Sequence, residues 1–159
     1  MPTRYAVIGT GHRSQMFLDA IAGPHADVAE LVALIDVNPA RREYHQGRHE
    51  AFAGARLGGP DELEQIIAEE SVDRVIVTSV DRLHAEHVVR ALDAGADVVV
   101  EKPLTIDAPS ARAIQEAIDR PFYNPSNALT SYRIRQIPCK GERPTPEELI
   151  VYVAEQASK

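Results

Sequence analysis

Short apolar runs alternate with amphipathic stretches along the first 120 residues of the chain. The apolar runs predict four strands, at residues 5–8, 31–35, 75–77 and 98–100. Each run is apolar or aromatic at every position, which is typical of strands that are covered on both faces of a sheet. The segments that separate or follow them have helical periodicity, and the helices that this period predicts cover residues 13–22, 62–70, 82–94 and 110–118.

Proline, glycine and asparagine mark where several of these elements begin and end. Gly23-Pro24 ends the first helix and Gly95 ends the third, while Asn38-Pro39 predicts the cap and first residue of a further helix. Strands that alternate with helices form parallel βαβ units with right-handed crossovers. The fold class that we predict for residues 1–120 is therefore α/β, with a doubly wound parallel sheet.

The pattern changes where the last of these helices ends. Five of the chain's 11 prolines lie in residues 121–159. Residues 145–148 read Thr-Pro-Glu-Glu, which is typical of a capping box and predicts a final helix that ends near Gln156. We therefore divide the chain into one domain at residues 1–120 and a short tail, part irregular and part helical, at residues 121–159.

Composition and charge restrict the class of partner. The chain has a formal net charge of −7, whereas nucleic-acid-binding domains usually present a basic stripe, so we expect no nucleic-acid partner. No apolar run approaches the roughly 20 residues that span a bilayer, and the first residues lack the pattern of a signal peptide. Cys139 is the only cysteine, and an unreactive residue is favoured over a reactive thiol. These features predict a cytoplasmic protein without a membrane partner.

A glycine-rich turn joins the first predicted strand to the first predicted helix. Its sequence is Gly9-Thr10-Gly11-His12-Arg13-Ser14, which follows the G-x-G-x-x-G pattern except at the last position. In that pattern the first glycine makes the tight turn, the second lets the backbone approach a pyrophosphate, and the third allows close packing. The helix N-terminus adds free N–H groups. Because Ser14 is small, we expect only slightly looser packing, and we favour a Rossmann-type dinucleotide site over a purely structural turn.

Asp36 follows the second predicted strand, 22 positions after Ser14. An acid about 20 residues beyond the glycine motif accepts hydrogen bonds from the adenosine ribose hydroxyls of a dinucleotide. A carboxylate would repel the 2′-phosphate of NADP, so we predict NAD as the cofactor. NADP is the alternative, which Arg41 or Arg42 would favour, and a capping or loop aspartate is the structural interpretation of the same residue.

Glu101-Lys102-Pro103 follows the last predicted strand. Ligands bind open α/β sheets in the crevice at the carboxyl ends of the strands, and Lys102 would project into that crevice. Its ammonium group would polarise a reacting oxygen or hold a sugar hydroxyl. An ordinary surface lysine is an equally good interpretation from these residues alone.

Together these segments resemble the Gfo/Idh/MocA oxidoreductases, a family that includes glucose–fructose oxidoreductase and inositol dehydrogenase. The resemblance extends over residues 4–118. It rests on the glycine turn, Asp36, the segment from Thr78 to His84, Ala91-Leu92-Asp93-Ala94-Gly95 and Glu101-Lys102-Pro103-Leu104-Thr105. Many members carry Thr-Pro where this chain has Thr78-Ser79, and the combination with Asp81 and His84 resembles one subgroup.

The resemblance implies NAD(P)-dependent oxidation or reduction of a sugar, cyclitol or related alcohol. It implies that Lys102 is catalytic, close to the nicotinamide ribose and the substrate, and that Glu101 contacts the cofactor. The residues that we predict to bind the cofactor are Gly9, Thr10, Gly11, His12, Arg13, Asp36, Thr78, Ser79, His84, Glu101 and Lys102.

The resemblance also implies a second α/β domain, which in family members binds substrate, supplies a further acid or base and usually forms the oligomer interface. Residues 121–159 are too few for that domain, so we expect a truncated and catalytically incomplete chain. Self-association into a homo-oligomer is a further expectation. Two other interpretations stay open: a binding-only NAD(P) module or remnant that needs a partner chain, and a domain for another adenosine ligand.

Four histidines allow other chemistry. His45 and His49 have the i, i+4 spacing of metal ligands on a predicted helix, but no third ligand is evident, so we predict a solvated helix face and no metal. His84 is expected near the crevice, and His87 is expected to face solvent. No segment has the pattern of a nucleophile elbow.

Overall fold

The strands of the domain lie parallel in one sheet and are joined by helices. The computed structural model describes residues 1–120, and within them the strands are β1 (Thr3–Ile8), β2 (Ala29–Ile35), β3 (Arg56–Gly58), β4 (Arg74–Val77) and β5 (Asp97–Val100). The helices are α1 (Gln15–Ala22), α2 (Pro39–Arg48), α3 (Leu63–Glu69), α4 (His84–Asp93) and α5 (Ala108–Asp119). The predicted tail, with Cys139 and the helix expected after Thr145, lies outside the described residues.

The strand order confirms the predicted fold class. Within the described residues the order is β3-β2-β1-β4-β5, and every neighbouring pair is parallel. The chain moves outward from β1 to β3, crosses back to β4 beside β1, and continues outward to β5. This reversal makes a topological switch point between β1 and β4, where ligands bind in doubly wound sheets.

Successive side chains of β1 point to opposite faces of the sheet, so the core is divided into two clusters. Tyr5 and Val7 pack in the cluster that contains Phe17 of α1. Ala6 and Ile8 pack on the opposite face, in the cluster to which α3, α4 and α5 contribute. Because helices cover both faces, every position of β1 from Tyr5 to Ile8 is buried, which explains its continuous apolar run.

Local signals explain where the helices begin and end. Asn38 caps α2, since its side-chain oxygen accepts a hydrogen bond of 3.0 Å from the N–H of Ala40. Gly95 follows α4 with a φ of +92°, a left-handed conformation that glycine adopts without strain. Asp107 caps α5 by accepting a hydrogen bond of 2.8 Å from the N–H of Ser110, so this helix begins earlier than its periodicity predicts.

Two further differences from the predicted elements have physical causes. The hydrophobic pattern does not reveal β3, because this short strand pairs only with β2 at the edge of the sheet and contains one large apolar side chain. The helices predicted at residues 13–22 and 82–94 become α-helical later than expected. Each is preceded by a 3₁₀ turn, at His12–Ser14 and Asp81–Leu83, as is common at helix N-termini. Within residues 1–120, none of the helices has both the length and the apolar character needed to cross a membrane.

Candidate functional site

A crevice of about 250 Å³ opens at the carboxyl ends of β1, β2 and β4, beside the switch point. Apolar surface from Val37, Val80 and Leu83 forms part of its wall. The crevice also brings together most of the residues that the sequence predicts for cofactor binding, namely Gly9, Gly11, His12, Arg13, Asp36, Thr78 and Ser79. Residues that are far apart along the chain therefore meet at the edge of the sheet where the topology predicts a ligand.

Gly9 lies where the backbones of the loops after β1 and β4 come into contact. It has a φ of +93°, and a Cβ on this residue would lie 2.4 Å from both the Cα and the N of Ser79. Its N–H donates to the carbonyl of Ile35 at 2.8 Å, and its carbonyl accepts from the hydroxyl of Thr78 at 2.8 Å. Both the conformation and the lack of space require glycine here.

Gly11 is under neither of these constraints. Its φ is −81°, in the extended region, and a Cβ here would meet nothing within 4 Å. The missing side chain therefore leaves open space in front of the helical turn that follows. Ser14, at the third position of the motif, is fully buried, and its hydroxyl donates to the carbonyl of Gly11 at 2.7 Å. The first N–H groups of such a turn lack partners within the helix and are suited to an anion.

Asp36 is a buried carboxylate that holds the glycine turn from the side of β2. It is 5% exposed, and its oxygens accept hydrogen bonds from the N–H of Thr10 at 2.7 Å and the N–H of Asn38 at 2.8 Å. The exposed guanidinium of Arg41 lies 3.9 Å from one of these oxygens. Each carboxylate oxygen can accept a further hydrogen bond, so a ribose hydroxyl can still be bound. Thr10 is itself buried, and its N–H orients Asp36.

Two buried histidines from the start of α4 hold Ser79. Nε2 of His84 lies 2.9 Å from the carbonyl oxygen of Ser79, and Nδ1 of His87 lies 2.9 Å from its Oγ. The other ring nitrogen of His84 lies 2.7 Å from the carbonyl oxygen of Pro103. His84, which the sequence predicts as a cofactor ligand, is 1% exposed and links the loops after β4 and β5 from behind the crevice wall.

His87 is a crevice residue that the sequence analysis missed, and the expectation that it faces solvent is wrong. It is 3% exposed and forms part of the wall. Burial lowers the pKa of its imidazole, with Arg90 and His84 acting in the same direction and Glu86 opposing them. The ring is therefore neutral at neutral pH. Its spacing from His84, one helical turn on the same face, is the signal that identifies it.

Glu101 and Lys102 lie at the end of β5, on the strand next to β4. The N–H of Glu101 donates to the carbonyl of Val77 at 2.9 Å, which continues the sheet, and its carboxylate accepts from the N–H of Lys102 at 2.9 Å. Lys102 is exposed, and the peptide bond between Lys102 and Pro103 is cis. These residues share the carboxyl edge of the sheet with the crevice but do not form its walls.

His45 and His49 do not form the solvated pair that their spacing predicts. His45 is 5% exposed, and burial lowers the pKa of its imidazole, with Arg48 acting in the same direction. His49 lies just beyond α2, and its Nε2 is 3.0 Å from the carboxylate of Asp19. Residues 1–120 contain no group of three or more His, Cys, Asp or Glu side chains that could hold a metal ion.

Sequence comparison relates residues 3–121 of the chain to known proteins. The model of the GFO_IDH_MocA family, described as an oxidoreductase family with an NAD-binding Rossmann fold, matches residues 3–121. Inositol 2-dehydrogenase 3 of Saccharopolyspora erythraea is 36% identical over 119 residues, which are 74% of this chain and 32% of that protein. Inositol 2-dehydrogenase of Paracoccus denitrificans is 37% identical over 117 residues, which are 74% of this chain and 33% of that protein. The chain spans about a third of the length of these relatives.

Solved structures of two oxidoreductases also match the fold of this chain. The WlbA dehydrogenase from Bordetella pertussis, in complex with NADH and UDP-GlcNAcA, matches with a TM-score of 0.65 and 28% identity over 75% of this chain and 34% of that chain. KijD10, a 3-ketoreductase from Actinomadura kijaniata in complex with NADP, matches with a TM-score of 0.61 and 33% identity over 74% of this chain and 35% of that chain.

The two glycines of the turn predict effects of different size on stability. Gly9→Ala introduces a Cβ that would lie 2.4 Å from backbone atoms and forces a left-handed φ on alanine. We expect the free energy of unfolding to fall by about 2 kcal/mol or more, in the range of local backbone strain plus a steric clash. Gly11→Ala is the matched control and should change the free energy of unfolding by less than about 1 kcal/mol, because its Cβ meets open space. Urea unfolding followed by circular dichroism measures both, and equal effects would contradict the assignment of Gly9 as the contact residue.

Proposed function

The chain belongs to the Gfo/Idh/MocA oxidoreductase family, and from that premise we propose that residues 1–120 bind NAD across the turn at residues 9–13. In this proposal the domain is the cofactor-binding part of an oxidoreductase that acts on a sugar, cyclitol or related alcohol. NADP is the alternative cofactor, since proteins similar to this chain include one in complex with NADH and another in complex with NADP.

The observation that carries the proposal is the open space over Gly11 beside the buried carboxylate of Asp36. A diphosphate has room to approach the backbone at Gly11 and to accept hydrogen bonds from the N–H groups that begin the next helix. An adenosine ribose placed toward β2 would donate its hydroxyl hydrogens to Asp36. The residues present therefore fit the two ends of an ADP group.

Lys102 is the residue that we propose for catalysis. When bound, the nicotinamide supplies the hydride acceptor or donor. Lys102 lies at the carboxyl end of β5, and its ammonium group would stabilise the substrate oxygen as charge develops there. Glu101 would contact the cofactor. Its carboxylate accepts a hydrogen bond from the N–H of Lys102, the next residue in the chain.

The substrate and the partners of the whole enzyme are part of the same proposal. The names of the relatives in Saccharopolyspora erythraea and Paracoccus denitrificans include inositol, which supports a small polyhydroxylated substrate. We propose that residues 121–159 are a tail and not a complete substrate domain. We further propose a cytoplasmic protein that forms a homo-oligomer. We also propose that it has no nucleic-acid or membrane partner, which its net charge of −7 supports.

Gly11→Val tests where the diphosphate lies. The valine side chain would occupy the open space that the proposal assigns to the ligand, without contacting protein atoms at its Cβ. Isothermal titration calorimetry should show NAD affinity reduced by at least about tenfold, or 1.4 kcal/mol. The circular dichroism spectrum should stay like that of the wild type. Gly54→Val is the matched control, because its Cβ also meets nothing within 4 Å and it lies outside the crevice wall. Unchanged NAD affinity in Gly11→Val would refute the assignment.

Asp36→Ala tests the preference between cofactors. Removing the carboxylate removes the acceptor for the ribose hydroxyls and the repulsion of a 2′-phosphate, so the ratio of NAD to NADP affinity should fall. The substitution also frees the N–H of Thr10, but both ligands use the same turn, so this loosening cancels in the ratio. We expect a decrease of about tenfold or more, because a hydrogen bond to a charged group contributes about 1.5–3 kcal/mol. A wild-type protein that binds NADP more tightly would show that Arg41 or Arg42 outweighs Asp36.

Turnover by these 159 residues alone tests whether they complete an active site. Hydride transfer requires cofactor and substrate in one geometry, and such positioning contributes roughly 7–11 kcal/mol to the lowering of the barrier. We expect the chain to bind NAD but to oxidise sugars and cyclitols poorly or not at all. Steady-state assays that follow the absorbance of the reduced nicotinamide across a panel of polyols, with light scattering on the same sample, provide the measurement. Robust turnover by a monomer would contradict the expectation.

A further inference from the structure

Ser79 is held at both its backbone and its side chain by one turn of α4. Nε2 of His84 faces its carbonyl oxygen at 2.9 Å, and Nδ1 of His87 faces its Oγ at 2.9 Å. Both histidines are buried, at 1% and 3% exposure, so neither ring is free to turn away. The position of the Ser79 Oγ is therefore determined by the protein before any ligand arrives.

The hydroxyl of Ser79 keeps hydrogen-bonding capacity for a ligand. A serine hydroxyl offers one donor and two acceptor lone pairs, and the contact with His87 uses one of these. Since burial lowers the pKa of His87, its ring is neutral and either accepts the serine proton or donates its own to Oγ. In both cases an acceptor lone pair of Ser79 stays available, and Ser79 lines the crevice.

The position of Ser79 assigns it to one half of a dinucleotide. Asp36 follows β2 and Ser79 follows β4, and these strands lie on opposite sides of β1. The turn at Gly9 lies between them and touches the backbone of Ser79. If the adenosine ribose lies at Asp36 and the diphosphate over the turn, the second ribose falls on the side of β4.

We propose that His87 is a positioning residue that fixes the Ser79 hydroxyl to accept a hydrogen bond from the nicotinamide-side ribose of the dinucleotide. The inference rests on the proposed function, because it takes NAD to lie across the turn at residues 9–13. It adds the site of the nicotinamide-side ribose, and it makes Ser79 and His87 a pair that acts as one unit.

Two shortened ligands locate the subsite. ADP contains the adenosine and the diphosphate, whereas ADP-ribose adds the second ribose without the nicotinamide. Calorimetry on the full chain should show that Ser79→Ala weakens the binding of ADP-ribose and NAD by about three- to tenfold, as expected for one hydrogen bond. The affinity for ADP should change by less than about twofold. An equal loss for ADP would overturn the assignment to the second ribose.

Two substitutions of His87 separate positioning from packing. In His87→Asn the side-chain amide places a polar atom near the position of Nδ1, so it should retain most of the affinity for ADP-ribose. His87→Leu fills a similar space without a polar atom and should lose as much affinity as Ser79→Ala. His25→Asn, in the connection between α1 and β2, is the control for a histidine outside the crevice wall and should bind like the wild type.

A double-mutant cycle tests whether the two residues act together. If His87 acts through Ser79, His87→Leu should cause no further loss of ADP-ribose affinity when Ser79 is already alanine. Unfolding midpoints without ligand establish that each variant is folded at the temperature of the titration. Independent losses that add would overturn the proposal, as would wild-type affinity in both single variants. A wild-type chain that binds neither NAD nor ADP-ribose would overturn the proposed function as well, which distinguishes the two failures.

Discussion

Gly9 and Ser79 bring the loops that follow β1 and β4 into direct backbone contact, and the shape of the crevice depends on that contact. The φ of +93° at Gly9 turns the chain away from the sheet, while its N–H and carbonyl are bound to Ile35 and to the Thr78 hydroxyl. The ends of three neighbouring strands are thereby tied at one residue that has no side chain. Because this junction directs the chain into the turn that precedes α1, it also aims the start of that helix at the crevice.

Asp36 connects the stability of the turn to its chemistry. A buried carboxylate loses its hydration, and the N–H groups of Thr10 and Asn38 replace part of that loss with charge-assisted hydrogen bonds. The bond to Thr10 joins the end of β2 to the middle of the glycine turn. The residue that would choose between NAD and NADP is therefore also one that holds the turn in place.

The start of α4 has a comparable role on the other side of β1. His84 joins the carbonyl oxygens of Ser79 and Pro103, which belong to the loops after β4 and β5, and His87 holds the Ser79 side chain. A single helical turn thus links the crevice wall to the loop that carries Lys102. These contacts place the two loops relative to each other, while His84 itself lies behind the crevice wall.

The sequence alone was sufficient for the elements and residues whose signals are local. Continuous apolar runs revealed four of the strands, Asn38-Pro39 and Gly95 marked helix ends, and the spacing of the glycine turn, Asp36 and Glu101-Lys102-Pro103 indicated the family.

Tertiary structure decided what depends on contacts between distant segments. The edge strand β3 has no apolar run of its own, because its pairing with β2 and not its composition makes it a strand. His45 and His87 look like surface residues in a helical pattern, but their burial is set by what packs against the helix. The different environments of Gly9 and Gly11 also depend on tertiary structure, because only the fold shows that Gly9 touches the loop after a neighbouring strand while Gly11 faces open space.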